Sequence, residues 1–278
     1  MGIQKVEFGS LNDLFSEHVD VNDPHLKERA EKRNQKMVEM YNRQAVKNKI
    51  RLYQDKSLWE GAPLEFSVDD WQPDRRKNVK QAQDLGNKAY KLAHQMVNRS
   101  FNVVMSGPAG VGKTSLALMM AKILQQHNKT VMFVSTDELM RLCSDQYDYP
   151  DAKAKLQDRK QYIDQADVLI LDDLGAEAGS VEQVMSKNFR GVRRDMQTLI
   201  YNIASHRFEG TREDQIEANK KGIKLSHPVR STIITTNNVQ EELERIYNSR
   251  TISRLITMKP EHRLAFNDME DMRKESDL

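Results

Sequence analysis

The sequence predicts an α/β protein, a P-loop core with a parallel sheet flanked by helices, preceded by a small helical N-terminal domain. Three observations predict it. Gly107-x-x-x-x-Gly112-Lys113-Thr114 stands between an apolar run, Phe101–Met105, and a helical pattern from Ser115, which is the strand–loop–helix context of a phosphate-binding loop. Further apolar segments follow at α/β intervals with helical stretches between them, and such alternation implies a parallel sheet covered on both faces. Residues 1–60 hold one proline, Pro24, and no glycine between Gly9 and Gly61, so they read as a separate helical module.

Composition narrows the class. The 278 residues allow one large domain or two smaller ones. With 43 Lys+Arg against 41 Asp+Glu, the net charge of +2 announces no nucleic-acid partner for the chain as a whole. Cys143 is the only cysteine, which excludes a disulfide framework and a cysteine-based zinc site and fits a reducing cytosol. The N-terminus lacks the apolar core of a signal peptide, and no run approaches the roughly 18 apolar residues that span a bilayer. A soluble, cytoplasmic protein is expected.

In the N-terminal module, Asn22-Asp23 before Pro24 makes a helix start, and helix-compatible residues continue to about Lys56. Between Lys27 and Arg51 nine Lys/Arg oppose three Glu, a local +6. The sparse apolar residues, Met37, Val38, Met40, Tyr41, Ala45, Val46, Ile50 and Leu52, recur at helical intervals and suit one or two amphipathic helices. A charge run of this kind is most often a solvated face. Docking on a partner protein is favoured over direct nucleic-acid binding, because so few apolar residues could hardly build a core. An upstream cluster, Phe8, Leu11, Leu14 and Phe15, suits a short docking helix. Residues 61–79, with Gly61, Pro63 and Pro73, form the linker. There Trp71 or Phe66 is placed either to pack on a nucleotide base or to be buried at the domain edge. A helix over Asn78–Asn98 leads to the first strand, and residues 80–278 make up the domain that carries the P-loop.

The P-loop spacing has a chemical reason. Gly107, Gly110 and Gly112 let the backbone fold tightly, so that the N–H groups of the loop, through Pro108, Ala109 and Val111 to Ser115, turn toward phosphate oxygens. The helix beginning near Lys113 adds its positive end. Lys113 can reach the β- and γ-phosphates, and the Thr114 hydroxyl can ligate Mg2+. ATP and Mg2+ are the expected cofactors.

Thr130–Thr136, Asp167–Leu174 and Ser231–Asn237 read as strands, with Leu255–Met258 a weak fourth. Val168-Leu-Ile-Leu-Asp172-Asp173 is a Walker B pattern, an apolar strand with two acids at its C-terminal end, where open α/β sheets bind ligands. Asp172 is placed to hold the Mg2+ shell, and Asp173 to polarise the attacking water. Asn237, ending the next strand, offers an amide to orient that water or sense the γ-phosphate. Arg250 and Arg254 lie four apart on one helical face. Either can serve a neighbouring subunit's ATP as an arginine finger, with Arg254 preferred. Arg273 is a weaker candidate for a second sensor.

P-loop, Walker B, Thr235-Thr236-Asn237 and Arg250-x-x-x-Arg254-Leu255, in that order, resemble the AAA+ superfamily. Within it the chain resembles the DnaC/DnaI-type helicase loaders and the IstB-type transposition ATPases. Leu64-Glu-Phe66-Ser-Val-Asp-Asp70-Trp71 is similar to the segment these proteins place ahead of the core. Leu169-Ile-Leu-Asp172-Asp173-Leu-Gly175-Ala-Glu177 is similar to their Walker B continuation, and Leu199-Ile-Tyr-Asn202-x-x-x-x-Arg207 to the helix before the sensor strand. The resemblance covers residues 64–258. Asp173 stands where many AAA+ proteins carry Glu, and Phe208–Arg230 is longer and more charged than the usual connection.

The resemblance implies a P-loop AAA+ core and an ATP-dependent loader of a hexameric replicative DNA helicase. The N-terminal helices would grip the helicase, the AAA+ domains would self-associate, and hydrolysis would be slow and stimulated by DNA or partner. It also implies a helix insertion over Asp137–Gln161 that contacts single-stranded DNA, with Arg141, Lys153, Lys155, Arg159 and Lys160 available and Tyr147 and Tyr149 able to stack on bases. The alternative is an IstB-like transposition helper acting on duplex DNA. A small-molecule kinase and a non-catalytic ATP switch are further readings.

Overall fold

The computed structural model describes residues 25–272. The Phe8–Phe15 cluster, the helix start at Asn22–Pro24 and Arg273 lie outside the described residues. The chain divides into two compact units between Lys47 and Asn48.

The first unit is described as the greater part of a 30-residue helix, α1 (Leu26–Asp55). Its local support is the Glu28–Lys32 pair at 2.6 Å, one turn apart. Met37, Val38, Met40 and Tyr41 are all exposed. The described part therefore buries no core of its own, as its composition implies.

The second unit begins earlier than the sequence places the boundary at 60. Tyr53 and Leu58 are buried in its core, and Leu58 bridges in parallel to Val134. Trp59 stacks on Phe133 with ring centroids 3.8 Å apart. Apolar residues too few to signal a domain are enough to anchor a segment. In the linker, Trp71 is buried, donates its indole N–H to the Ala82 carbonyl at 2.9 Å and packs so closely on Gly86 that a Cβ there would meet the ring at 2.6 Å. Of the two fates open to Trp71, burial is the one observed.

Helix α2 (Val79–Met96) starts at Asn78, whose side chain accepts from the Gln81 N–H, as a cap should. Then come β1 (Val103–Ser106), α3 (Lys113–Gln126), β2 (Val131–Ser135), α4 (Thr136–Asp145), α5 (Pro150–Gln165) and β3 (Val168–Asp172). After β3 follow α6 (Val181–Met185), α7 (Arg194–Glu209), α8 (Arg212–Lys221), β4 (Ser231–Thr236), α9 (Gln240–Tyr247), α10 (Ser249–Leu255) and β5 (Arg263–Ala265). The strands form one parallel sheet in the order β2-β3-β4-β1-β5, the arrangement of a P-loop AAA+ core.

Successive strand residues feed opposite cores. Val103, Met105, Phe133, Ile170 and Ile233 pack with α2 and α3. Val104, Met132, Leu169, Leu171 and Ile234 pack with α4, α5, α7, α9 and α10. Burial on both faces explains the continuous apolar runs. The last strand is a correction: Leu255–Met258 is not a strand. Leu255 ends α10, and the edge strand lies at Arg263–Ala265, where only Leu264 is buried. Three residues with one buried side chain are too short to show a period.

Arg207 is fully buried near the N-terminal ends of β3 and β4. It donates to the carbonyls of Ile163, Ala166 and Ser231 and to the Thr232 hydroxyl. It thereby satisfies acceptors that the end of α5 and the strands would otherwise bury unpaired.

Candidate nucleotide site

The site lies at the C-terminal ends of β1, β3 and β4. Gly112 takes a left-handed conformation (φ 97°) as the N-cap of α3, and an added Cβ would meet both Arg76 and the Trp71 ring at 3.0 Å. Only glycine suits both demands. Val111 is fully buried and anchors the loop from beneath.

Lys113, 5% exposed, donates to the carbonyls of Gly107 at 2.9 Å and Pro108 at 2.6 Å and to the Asn237 side-chain oxygen at 2.6 Å. The P-loop lysine and the amide from the end of β4 are thus in direct contact. Thr114 donates to an Asp172 carboxylate oxygen at 2.9 Å, and Thr235 donates to the same oxygen at 2.7 Å. Burial pushes the Asp172 carboxyl up from 3.8 to about 6, against those hydroxyls and the Lys113 charge.

Asp173 follows with a positive φ of 54°. Its N–H donates to the Thr235 hydroxyl at 2.8 Å, and its carbonyl accepts from Thr136 at 2.9 Å. This turn ends β3 and leaves Asp173 lining the cleft. A cleft of about 540 Å3 is lined by Ala109, Gly110, Gly112, Lys113, Thr114, Ser115, Asp172, Asp173 and Asn237. Trp59, Leu64, Arg76 and Met272 also line it. The C-terminal segment reaches the loop through Met272, whose N–H donates to the Gly110 carbonyl at 3.2 Å.

The donor set fits the expected metal. Thr114 supplies a hydroxyl and Asp172 a buried carboxylate, all-oxygen ligands of the kind Mg2+ takes alongside phosphate and water. Bound there, Mg2+ would neutralise phosphate charge. Among the described residues no group of three or more His, Cys, Asp or Glu could hold a metal by itself.

Arg250 and Arg254 stand elsewhere. The Arg254 carbonyl accepts from Asn102 at 2.8 Å, just before β1 and so at the opposite end of that strand from the P-loop. Arg254 is paired with Glu209, and both guanidinium groups lie over the Tyr201 ring, 5.2 Å away for Arg250 and 5.8 Å for Arg254. Neither arginine lines the cleft.

Asp137–Gln161 falls within α4, α5 and the turn between them. Of its cations Arg141 pairs with Glu138 and Arg159 with Asp158, while Lys153 and Lys155 are exposed. Tyr147 and Tyr149 are 67% and 62% exposed, and Arg193 lies 5.7 Å over Tyr147.

Two residues of the site carry no signal of their role in the sequence. Thr235 stands beside Asn237, but nothing in one sequence says that its hydroxyl meets Asp172. Arg76 is brought to the cleft by the linker. Glu177 Oε2 accepts from the Gly175 N–H at 3.0 Å, and burial pushes its carboxyl up from 4.5 to about 7.

Residues 70–192 match the family described as IstB-like ATP binding protein, a span that includes the P-loop and both Walker B acids. The resemblance drawn from the motifs holds over this core. Among solved structures, the DnaC helicase loader is 22% identical, with a TM-score of 0.49 over 72% of this chain and 95% of that one. DnaI is 19% identical, with a TM-score of 0.45 over 72% and 87%. AMPPCP-bound DnaA from Aquifex aeolicus is 12% identical, with a TM-score of 0.48 over 78% and 56%. No curated protein matches by sequence. No described helix is long and apolar enough to cross a membrane.

Proposed function

We propose that this protein is an ATP-dependent loader of a hexameric replicative DNA helicase, working in the cytoplasm. ATP is held on Gly107–Ser115, with Mg2+ shared between Thr114, Asp172 and phosphate oxygens. Asp173 polarises the attacking water and Asn237 reads the γ-phosphate. The observation that carries the reading is the convergence of Lys113, Thr114, Asp172 and Asn237 in one cleft, since phosphoryl transfer needs positioning and charge stabilisation at one point. The cationic helix that includes residues 27–47 is assigned to the helicase. The exposed Tyr147, Tyr149, Lys153 and Lys155 are assigned to single-stranded DNA.

Self-association brings Arg254 of one subunit to the ATP of the next. At the far end of β1 from its own P-loop, it can act only in trans. ATP then favours the assembled form, and slow hydrolysis, stimulated by DNA or partner, releases it. The test is to mix the protein with the replicative helicase of its own genome, with and without ATP, and weigh the complexes. No complex under either condition would sink this reading.

The IstB-like match over residues 70–192 favours a second reading, a transposition helper acting on duplex DNA. ATPase stimulation by duplex but not single-stranded DNA would select it.

A further inference from the structure

The charged segment Phe208–Arg230 has no part in the cleft, yet it is closely built. Gly210 ends α7 with a positive φ of 88°, and a Cβ there would meet Leu225 at 3.1 Å and Asp214 at 3.2 Å. Thr211 and Asp214 form the capping box of α8. Arg230 returns to Asp214 through two bonds of 2.6 Å, and this pairing holds the Asp214 carboxyl down at about 2. Two backbone bonds, Val229 N–H to the Phe208 carbonyl at 3.2 Å and Arg230 N–H to the Arg207 carbonyl at 3.0 Å, clamp the returning chain to the end of α7. The His227 ring stacks on Phe208, 5.5 Å between centroids. Glu209 therefore sits on a short, closed platform between a clamped residue and a glycine turn.

What Glu209 does from there is specific. Its Oε1 accepts from both Nε and Nη2 of Arg254, at 3.0 and 2.5 Å. Arg254 Nη1 donates to the Arg250 carbonyl at 2.9 Å, and Tyr201 lies against the guanidinium face. A guanidinium has five N–H groups in a fixed fork. Three are used in holding it, and among the described residues two remain, one on each terminal nitrogen. The Arg254 side chain is 15% exposed.

We infer that Glu209 is a positioning residue for Arg254, and that the Gly210–Arg230 insertion is the mount that fixes Glu209. The carboxylate grips one edge of the guanidinium and the ring steadies its face, so the remaining N–H pair is presented in one orientation to a phosphate of the neighbouring subunit. The long, flexible arginine side chain is thereby ordered before assembly rather than during it. This inference rests on the trans-finger reading of Arg254.

The test compares Glu209→Ala, Glu209→Gln, Asp214→Ala, Arg254→Ala and the pair Glu209→Ala/Arg254→Ala as full-length proteins. Each is checked for folding by thermal melting, for affinity with a fluorescent ATP analogue, and for ATPase kcat and KM. Glu209→Ala should lower kcat about tenfold with nucleotide affinity unchanged. Glu209→Gln, whose amide oxygen can accept the same two bonds, should keep at least half the rate. Asp214→Ala should give a smaller loss of the same kind, and the double variant should be no worse than Arg254→Ala. An active Glu209→Ala beside an inactive Arg254→Ala would overturn the inference alone. Losses that multiply in the double variant, or a loss confined to nucleotide affinity, would also overturn it. A fully active Arg254→Ala would refute the finger reading itself and leave Glu209 nothing to position.

Discussion

Glu177→Gln should make the protein more stable, and only at higher pH. The carboxyl lies in the turn after Asp173, and its Oε1 is sealed from solvent. Its other oxygen accepts from the Gly175 N–H. Burial disfavours the ionised form most, and the Asp137 charge adds to that, so the folded pKa rises from 4.5 to about 7. A raised carboxylate pKa means that the folded state binds the proton more tightly than the unfolded state. Stability is therefore full below about pH 4.5, falls between 4.5 and 7, and stays reduced above 7. At about 1.4 kcal/mol per pH unit the ionised Glu177 costs about 2–3 kcal/mol. The amide keeps the Gly175 bond and removes the charge. Thermal melts of wild type and variant should coincide near pH 4 and separate above pH 7 by several degrees, since about 1 kcal/mol moves Tm by 2–4 °C in a unit of this size. Coincident melts at pH 8, or a gap that does not change with pH, would refute the buried-charge account.

Lys113→Ala should abolish binding of a fluorescent ATP analogue while leaving helicase binding intact; a folded variant that loses the helicase would count against two separate modules. Arg254→Ala should lower kcat without weakening nucleotide affinity, and mixing it with Lys113→Ala should restore ATPase, because each supplies the half-site the other lacks. Trp71→Ala removes a buried indole wedged between Gly86 and Gly112 and should cost 3–5 kcal/mol in denaturant melts. Thr235→Val removes one of the two hydroxyls that donate to the Asp172 carboxylate. It should cost about 1 kcal/mol and raise the Mg2+ concentration needed for half-maximal ATPase.

How much of the fold and the site is legible in the chain depends on how local each signal is. The P-loop and Walker B are contiguous, and their residue types are dictated by the backbone they must form, so Gly107–Thr114 and Asp172 can be placed from residue order alone. Asn237 is legible from its place at a strand end. Thr235 and Arg76 reach the site through contacts across elements, which spacing does not encode: 63 positions separate Thr235 from Asp172. Strands buried on both faces declare themselves as apolar runs, whereas the edge strand at Arg263–Ala265 offers one buried residue. The domain boundary is hidden for a related reason. Tyr53, Leu58 and Trp59 commit residues 48–60 to the core, but three anchors in a polar stretch do not change its composition.

The position of Arg254 decides how its pairing with Glu209 is understood. Strand β1 has four residues and spans roughly 13 Å at about 3.3 Å per residue; the P-loop leaves one end, and Arg254 is bonded to Asn102 at the other. An arginine at that end cannot stabilise charge in its own cleft, and its side chain is already held by Glu209. Either the pair is purely structural or it completes a site on another copy. A structural ion pair with one half-exposed partner is worth little, about 0–1 kcal/mol, and needs neither the Tyr201 ring nor a clamped insertion behind it. The amount of structure invested in orienting one guanidinium is better matched to catalysis across an interface. ATPase specific activity should therefore rise with protein concentration; a flat dependence across the range where the protein assembles would return Arg254 to the structural side.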